Sequence, residues 1–189
     1  MKKVRDFLIV MLLLVTFQAV SQKAYYLPEG FKTFKTSGGE EVRCDNDFDN
    51  DGIKDVAIYC VNKDESEGRV VVFLSTRYNR DNIYFWFPWP TDMYYEFKYE
   101  TDVLSLSNFI GFGSNATTTY YLKYYGNLEN MRLIKYETEY TQGMELHSQT
   151  VNLLTGEYQV DNKKGKKNLD VITLTNIDSY LEILSSVGY

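Results

Sequence analysis

The segment Asp47–Asp55 constrains the fold of this chain more than any other stretch, because it places four carboxylates within one short loop. Aspartates stand at positions 47, 49, 51 and 55, and Gly52 permits a sharp turn that a side chain would hinder. Carboxylates held this close repel one another, so the arrangement is costly without a cation. Calcium prefers about six to eight hard oxygen ligands in flexible geometry. The spacing therefore predicts a calcium-binding loop between two strands.

The ligands of this predicted site come from a few residues of the loop. Oxygens from Asp47, Asp49, Asp51 and Asp55, a backbone carbonyl at Ile53 and water are enough for calcium. An EF-hand is excluded, because its loop needs a bidentate glutamate at position 12 and that position is Ile58 here. We expect a structural Ca²⁺ ion that holds a hairpin together. The alternative is a solvated acidic turn without metal.

The loop resembles the D-x-D-x-D-G-x-x-D calcium loop of FG-GAP and VCBS-type repeats, which occur in integrin-like propellers. The resemblance extends to the apolar residues Phe48, Ile53 and Val56, which in those families seat the loop between two strands. It implies that the four aspartates are side-chain ligands and that Ile53 is a carbonyl ligand. A single copy of the loop argues against a propeller. The segment Leu27–Phe31 followed by one such loop is also similar to uncharacterised exported bacterial proteins.

The first residues predict export. Met1–Arg5 is basic, and Phe7–Phe17 is an apolar run too short for a membrane span, which needs about 20 residues. The run is typical of a secretory signal, and Ala19–Ser21 supplies the small residues of a cleavage site. We predict a signal peptide at 1–21 and a single domain at 22–189, in the periplasm or outside the cell. No cysteine lies at the end of the apolar run, so no lipid anchor is expected. An uncleaved membrane anchor is the alternative.

Charge argues against a nucleic-acid partner. The chain carries 20 basic and 26 acidic residues, for a net charge of −6. Removal of residues 1–21 takes away three basic residues and one acidic residue, which changes the net charge to −8. An acidic protein repels phosphate backbones. The one basic run, Lys163–Lys167, is interpreted as a solvated turn.

Composition predicts a mostly β protein, since 17 Tyr and 11 Phe accompany many β-branched residues. The predicted strands cover residues 40–44, 56–61, 69–75, 94–99, 103–108, 118–125, 131–140, 150–154, 157–160 and 168–174, with a proline-broken edge segment at 83–90. Thr175, with Asp178 three residues later, predicts the start of a helix. The expected fold is an antiparallel sandwich or a strongly curved sheet with one short C-terminal helix.

The two cysteines, Cys44 and Cys60, are predicted to form a disulfide. They lie eight residues before and eight residues after Gly52, so a hairpin centred on the loop would place them opposite each other. Export to an oxidising space favours the bond. The alternative is a pair of small buried side chains, one on each strand.

The sequence offers little catalytic chemistry. His147 is the one histidine, and no nucleophile motif accompanies it, so we expect a surface or structural role. A zinc site would need more histidines or free cysteines. Many acidic residues are present, and a carboxylate pair would suffice for glycoside hydrolysis, but no pair stands out. We therefore predict no catalytic residues and favour a non-enzymatic role.

An aromatic stretch supplies the candidate ligand-binding residues. Tyr84, Trp86 and Trp89 are suited to stacking against sugar rings, and ordinary packing within a sheet is the alternative. The expected partner is a glycan or an envelope or extracellular protein. We predict an exported calcium-binding interaction module. A secreted hydrolase that uses a carboxylate pair and an inhibitor or immunity-type protein are the alternatives.

Overall fold

The computed structural model describes residues 26–75, 83–87, 93–110 and 115–188. The predicted signal peptide at 1–21 and Trp89 lie outside these ranges. The fold is mostly β, with two antiparallel sheets and one short C-terminal helix, as the sequence predicts. None of the helices in these ranges is long and apolar enough to cross a membrane.

The first sheet has five strands and is arranged around its third strand. The strands are β1 (Phe31–Thr33), β2 (Arg43–Asn46), β3 (Asp55–Asn62), β4 (Gly68–Phe73) and β5 (Ile83–Phe87). Their order is β1-β3-β4-β5, and β2 also pairs with β3. β1 pairs with residues 60–62 of β3, whereas β2 pairs with residues 55–58. Because β4 occupies one edge of β3, the two short strands share the other edge.

The second sheet is a seven-stranded meander. The strands are β6 (Met93–Glu100), β7 (Val103–Ile110), β8 (Ala116–Tyr125), β9 (Asn130–Gln142), β10 (Glu145–Asn152), β11 (Glu157–Val160) and β12 (Lys163–Lys166). Each strand pairs with the next in antiparallel register. Burial alternates along β7 and β8, so one face packs on the core and the other meets solvent.

One core cluster joins the two sheets. Tyr59 of β3 and Tyr95 of β6 both belong to it, and their ring centroids lie 4.0 Å apart. The Tyr59 hydroxyl donates a hydrogen bond to the Tyr95 hydroxyl at 3.2 Å. On the opposite face of β3, Ile58 and Cys60 form a second buried cluster with Val71 of β4. β3 is therefore buried on both faces, which explains its continuous apolar sequence.

Two predicted elements in the C-terminal third are wrong. Residues 168–174 do not form a strand and contribute only an isolated bridge between Thr173 and Arg132 of β9. The basic run interpreted as a solvated turn instead supplies the strand β12. Lysines suit this position, since charged side chains on an edge strand discourage pairing with other chains.

The helix start is also displaced. A 3₁₀ turn at Ile177–Tyr180 precedes the α-helix α1 at Leu181–Ser186. Asn176 rather than Thr175 is the N-cap of the turn, and Tyr180 is the N-cap of the helix. The Thr175 hydroxyl instead accepts a hydrogen bond from the Asn130 amide at 3.1 Å. Thr175 therefore links the C-terminal segment to β9 through this hydrogen bond.

The predicted disulfide is not formed, because both cysteines are free. The strands flanking the loop pair Cys44 with Ala57, so Cys60 lies three residues away from the position that a bond requires. An odd displacement turns a side chain to the other face of the sheet. Accordingly, Cys44 packs against the core shared by the two sheets, whereas Cys60 belongs to the second cluster.

Candidate metal centre

The acidic loop connects β2 to β3, whose first cross-strand pair is Asn46 with Asp55. Gly52 has φ 84°, in the left-handed region that glycine adopts without steric cost. Asn50 has φ 61°, in the same region, which asparagine tolerates better than most residues. The turn predicted at Gly52 is therefore present, and the chain reverses direction within the loop.

The loop brings together the carboxylates of Asp47, Asp49 and Asp55. One oxygen from each residue lies within 4.8 Å of the others. Asp55 is 1% exposed, whereas Asp47 and Asp49 are half-buried. This cluster could hold a metal ion, and the donors are all carboxylate oxygens, the ligand type that calcium and magnesium prefer.

Asp55 is the buried anchor of the cluster. One of its oxygens accepts a hydrogen bond from the Phe48 amide at 2.7 Å, and the other accepts one from the Ser75 amide at 2.7 Å. Burial raises the pKa of Asp55 to about 6, and the charge of Asp49 adds to the increase, although the amide bonds oppose it. Asp55 therefore gains most from a nearby cation, which favours its ionised form.

The other two carboxylates are oriented by amides of the loop itself. The Asp47 oxygens accept hydrogen bonds from the amides of Asp51 at 3.0 Å and Gly52 at 2.8 Å. One Asp49 oxygen accepts a further bond from the Asp51 amide at 3.2 Å. An ionised carboxylate has about four acceptor sites, so these amide bonds leave acceptor capacity for a cation. The loop thus holds the ligands in place through its backbone.

One predicted ligand, Asp51, and one predicted apolar seat, Ile53, are arranged differently. The Asp51 carboxylate lies outside the three-residue cluster, where it accepts hydrogen bonds from the Ile53 amide at 2.7 Å and the Ser75 hydroxyl at 2.5 Å. Ile53 has a side chain that is 38% exposed, so it does not seat the loop in the core as expected. Of the predicted apolar seats, Phe48 has the deepest position, at 1% exposed.

Two residues distant in sequence complete the site. Ser75 follows β4 and binds Asp55 and Asp51 through its amide and hydroxyl. Tyr99 of β6 donates a hydrogen bond from its hydroxyl to the Asp47 carbonyl at 3.0 Å, and its ring packs on Phe48 with centroids 5.1 Å apart. The loop therefore contacts both sheets. No local sequence signal identifies Ser75 or Tyr99, since only tertiary structure brings them to the loop.

The remaining candidate residues lie elsewhere. His147 of β10 contacts Asp161 at 3.0 Å through Nδ1 and stacks on Tyr140 with ring centroids 5.1 Å apart. Tyr84 and Trp86 lie in β5, where the structure describes the backbone and not the side chains.

Comparison with known proteins gives no match to a family model, a curated protein or a solved structure.

Proposed function

We propose that this protein is an exported, non-enzymatic binding module whose acidic loop takes up Ca²⁺ as a structural ion. The observation that carries the calcium assignment is the convergence of three carboxylates on one point, with the fully buried Asp55 among them. Calcium suits this set better than magnesium, because magnesium demands near-ideal octahedral geometry and retains several waters. The resemblance of the loop to the FG-GAP and VCBS type supports the same assignment.

The contacts of the loop support a structural role for the ion. Asp55 binds the amide of Ser75 after β4, and Tyr99 of β6 binds the carbonyl of Asp47. An ion held by Asp47, Asp49 and Asp55 would neutralise their mutual repulsion and fix the loop against both sheets. Because the unfolded chain has no preformed site, the binding energy would stabilise the folded state.

The basic apolar N-terminus supports export, and the sequence has no catalytic constellation around His147. A binding role is the simplest activity for a β scaffold with one exposed polar sheet face. The metal ion would stabilise this scaffold and would not itself contact a ligand.

Calorimetric titration of the purified protein with CaCl₂ and with MgCl₂ tests the assignment. We expect one calcium site, weaker magnesium binding, and at least a tenfold loss of calcium affinity in Asp49→Asn, since each charged ligand contributes about 1.4 kcal/mol or more. Asp64→Asn is the matched control, because Asp64 lies in the exposed turn after β3. Absence of calcium binding by the wild-type protein would refute the proposal.

A further inference from the structure

The outward face of the second sheet carries a cluster of cations at its centre. Lys123 of β8 stands directly opposite Arg132 of β9, and Tyr121 stands opposite Lys135. Directly opposed residues share a face of the sheet, and their neighbours Leu122 and Leu133 point into the core. Lys123, Arg132 and Lys135 therefore share the outward face of the sheet, where each is half-buried and the Nε of Arg132 is itself buried. The protein as a whole has a net charge of −6.

Arg132 differs from the other described arginines in its surroundings. Arg43 and Arg69 form ion pairs with Asp45 and Glu67 at 2.7 and 2.9 Å. Within the described ranges, Arg132 has no carboxylate partner. Its guanidinium lies 5.6 Å from the centre of the Tyr125 ring, and its Nη2 donates one long hydrogen bond to the Leu153 carbonyl at 3.5 Å.

Lys123 and Arg132 are directly opposed on neighbouring strands, an arrangement in which like charges repel. The nearest carboxylate to Lys123 is that of Asp102, at 3.8 Å, and both side chains are about half exposed, so the pair contributes little. An anionic group from outside the chain would relieve this repulsion and give Arg132 the partner it lacks. The charge of these two residues thus suits an anionic group such as a carboxylate.

The remaining groups of this face suit a sugar chain. Lys135 holds its ammonium 4.8 Å from the centre of the Tyr121 ring and 2.6 Å from Glu137, to which the Tyr121 hydroxyl also donates at 2.6 Å. Next to them, the hydroxyls of Ser107 and Thr119 are 3.0 Å apart. Half-buried aromatic rings and hydroxyl groups on a sheet face can pack against sugar rings and exchange hydrogen bonds with their hydroxyls.

We propose that Lys123, Arg132 and the rings of Tyr121 and Tyr125 form a binding face for an acidic polysaccharide, with the two cations pairing with its carboxylates. This inference rests on the proposed binding role and names the class of ligand. The patch is distant in sequence from the acidic loop, so the two proposals can fail separately.

Hyaluronate and a carboxyl-reduced form of the same polymer test the proposal, in calcium-containing buffer and with the whole protein. Binding is measured by affinity electrophoresis and by interferometry. We expect hyaluronate to bind, the reduced polymer to bind at least tenfold more weakly, and affinity to fall as salt is raised. The double variant Lys123→Gln/Arg132→Gln should lose about tenfold or more.

The matched control is Lys163→Gln/Lys164→Gln, which removes two exposed cations from the β12 edge. It should retain wild-type affinity, and thermal melts should show that both double variants are folded. Equal binding of the reduced polymer, equal losses in the two variants, or tighter binding of polyglutamate than of hyaluronate would each overturn the proposal. Calcium titration in the same samples reports separately on the acidic loop.

Discussion

The first sheet buries β3 on both faces, whereas the second sheet buries one face of a meander and leaves the other in contact with solvent. In the first sheet, β1 and β2 share one edge of β3, and the acidic loop lies where β2 turns into β3. In the second sheet, every strand pairs with its sequence neighbours. The comparison shows that the acidic loop is supported by long-range contacts from β6 and from Ser75 after β4, while the meander depends mainly on local hairpins.

The largest expected effects come from core substitutions, one beside the acidic loop and one in the meander. Phe48→Ala removes a ring that is 1% exposed and contacts Tyr99, so the free energy of unfolding should fall by about 3–5 kcal/mol. Calcium affinity should fall as well, because the loop loses its position against β6. Urea unfolding and calorimetry measure the two quantities.

The matched substitution in the meander is Leu122→Ala, at a site that is 0% exposed. It should cost about 2–5 kcal/mol of stability but leave the calcium affinity of the folded protein unchanged. Equal losses of calcium affinity in both variants would show that the loop is not set by its own contacts with β6.

The second prediction concerns the buried anchor of the loop. Asp55→Asn replaces one acceptor oxygen with an amide donor, which must face the Phe48 or Ser75 amide. We expect a loss of about 1–3 kcal/mol in unfolding free energy without metal, together with loss of calcium binding. If the variant bound calcium normally, Asp55 would not be a ligand.

The third prediction is a pH dependence that changes sign with calcium. The pKa of Asp55 is about 6 in the folded protein against an ordinary value of 3.8, because the carboxyl group is buried. Between these values the folded state retains a proton that the unfolded chain has released. This contribution to stability is complete below pH 3.8 and is lost as the pH rises through 6.

Calcium should reverse this contribution, because the bound ion requires the ionised carboxylate. Chemical unfolding at a series of pH values from 4 to 7, with chelator and with saturating calcium, compares the two cases. Asp55→Asn should remove the difference between the two slopes. Parallel slopes in the wild-type protein would contradict the assignment.

The smallest expected effect comes from single hydroxyl groups. Tyr99→Phe removes the hydrogen bond to the Asp47 carbonyl and should cost about 0.5–1.5 kcal/mol, with a modest loss of calcium affinity. Tyr121→Phe removes a hydroxyl that bonds Glu137 on the outward face of the second sheet and should leave calcium affinity unchanged. Calorimetric titration of both variants distinguishes the two regions.

Sequence patterns predict the local features of the fold and miss those that depend on register. The apolar run at 56–61, the strand at 131–140 and the turn at Gly52 are all confirmed. The predicted disulfide is wrong because it assumes that β2 and β3 pair symmetrically about Gly52. The actual register pairs Cys44 with Ala57 instead of Cys60. An odd displacement separates Cys44 from Cys60 on opposite faces.

In the candidate site, too, the sequence predicts local contacts and misses those made by the tertiary structure. Asp47, Asp49 and Asp55 come together as their spacing predicts, because one loop contains them all. Ser75 and Tyr99 reach the loop from β4 and β6, and no spacing within the loop reveals them. The Asp51 carboxylate accepts a hydrogen bond from the Ser75 hydroxyl, a contact that only the tertiary structure creates.

Thermal unfolding of the wild-type protein and of Asp49→Asn, each with saturating calcium and with chelator, tests the central claim most directly. We expect calcium to stabilise the wild-type protein by about 2.7 kcal/mol at a hundredfold excess over the dissociation constant, which raises its melting temperature by several degrees. Asp49→Asn should show a much smaller increase. A wild-type melting temperature that is the same with calcium and with chelator would contradict the account.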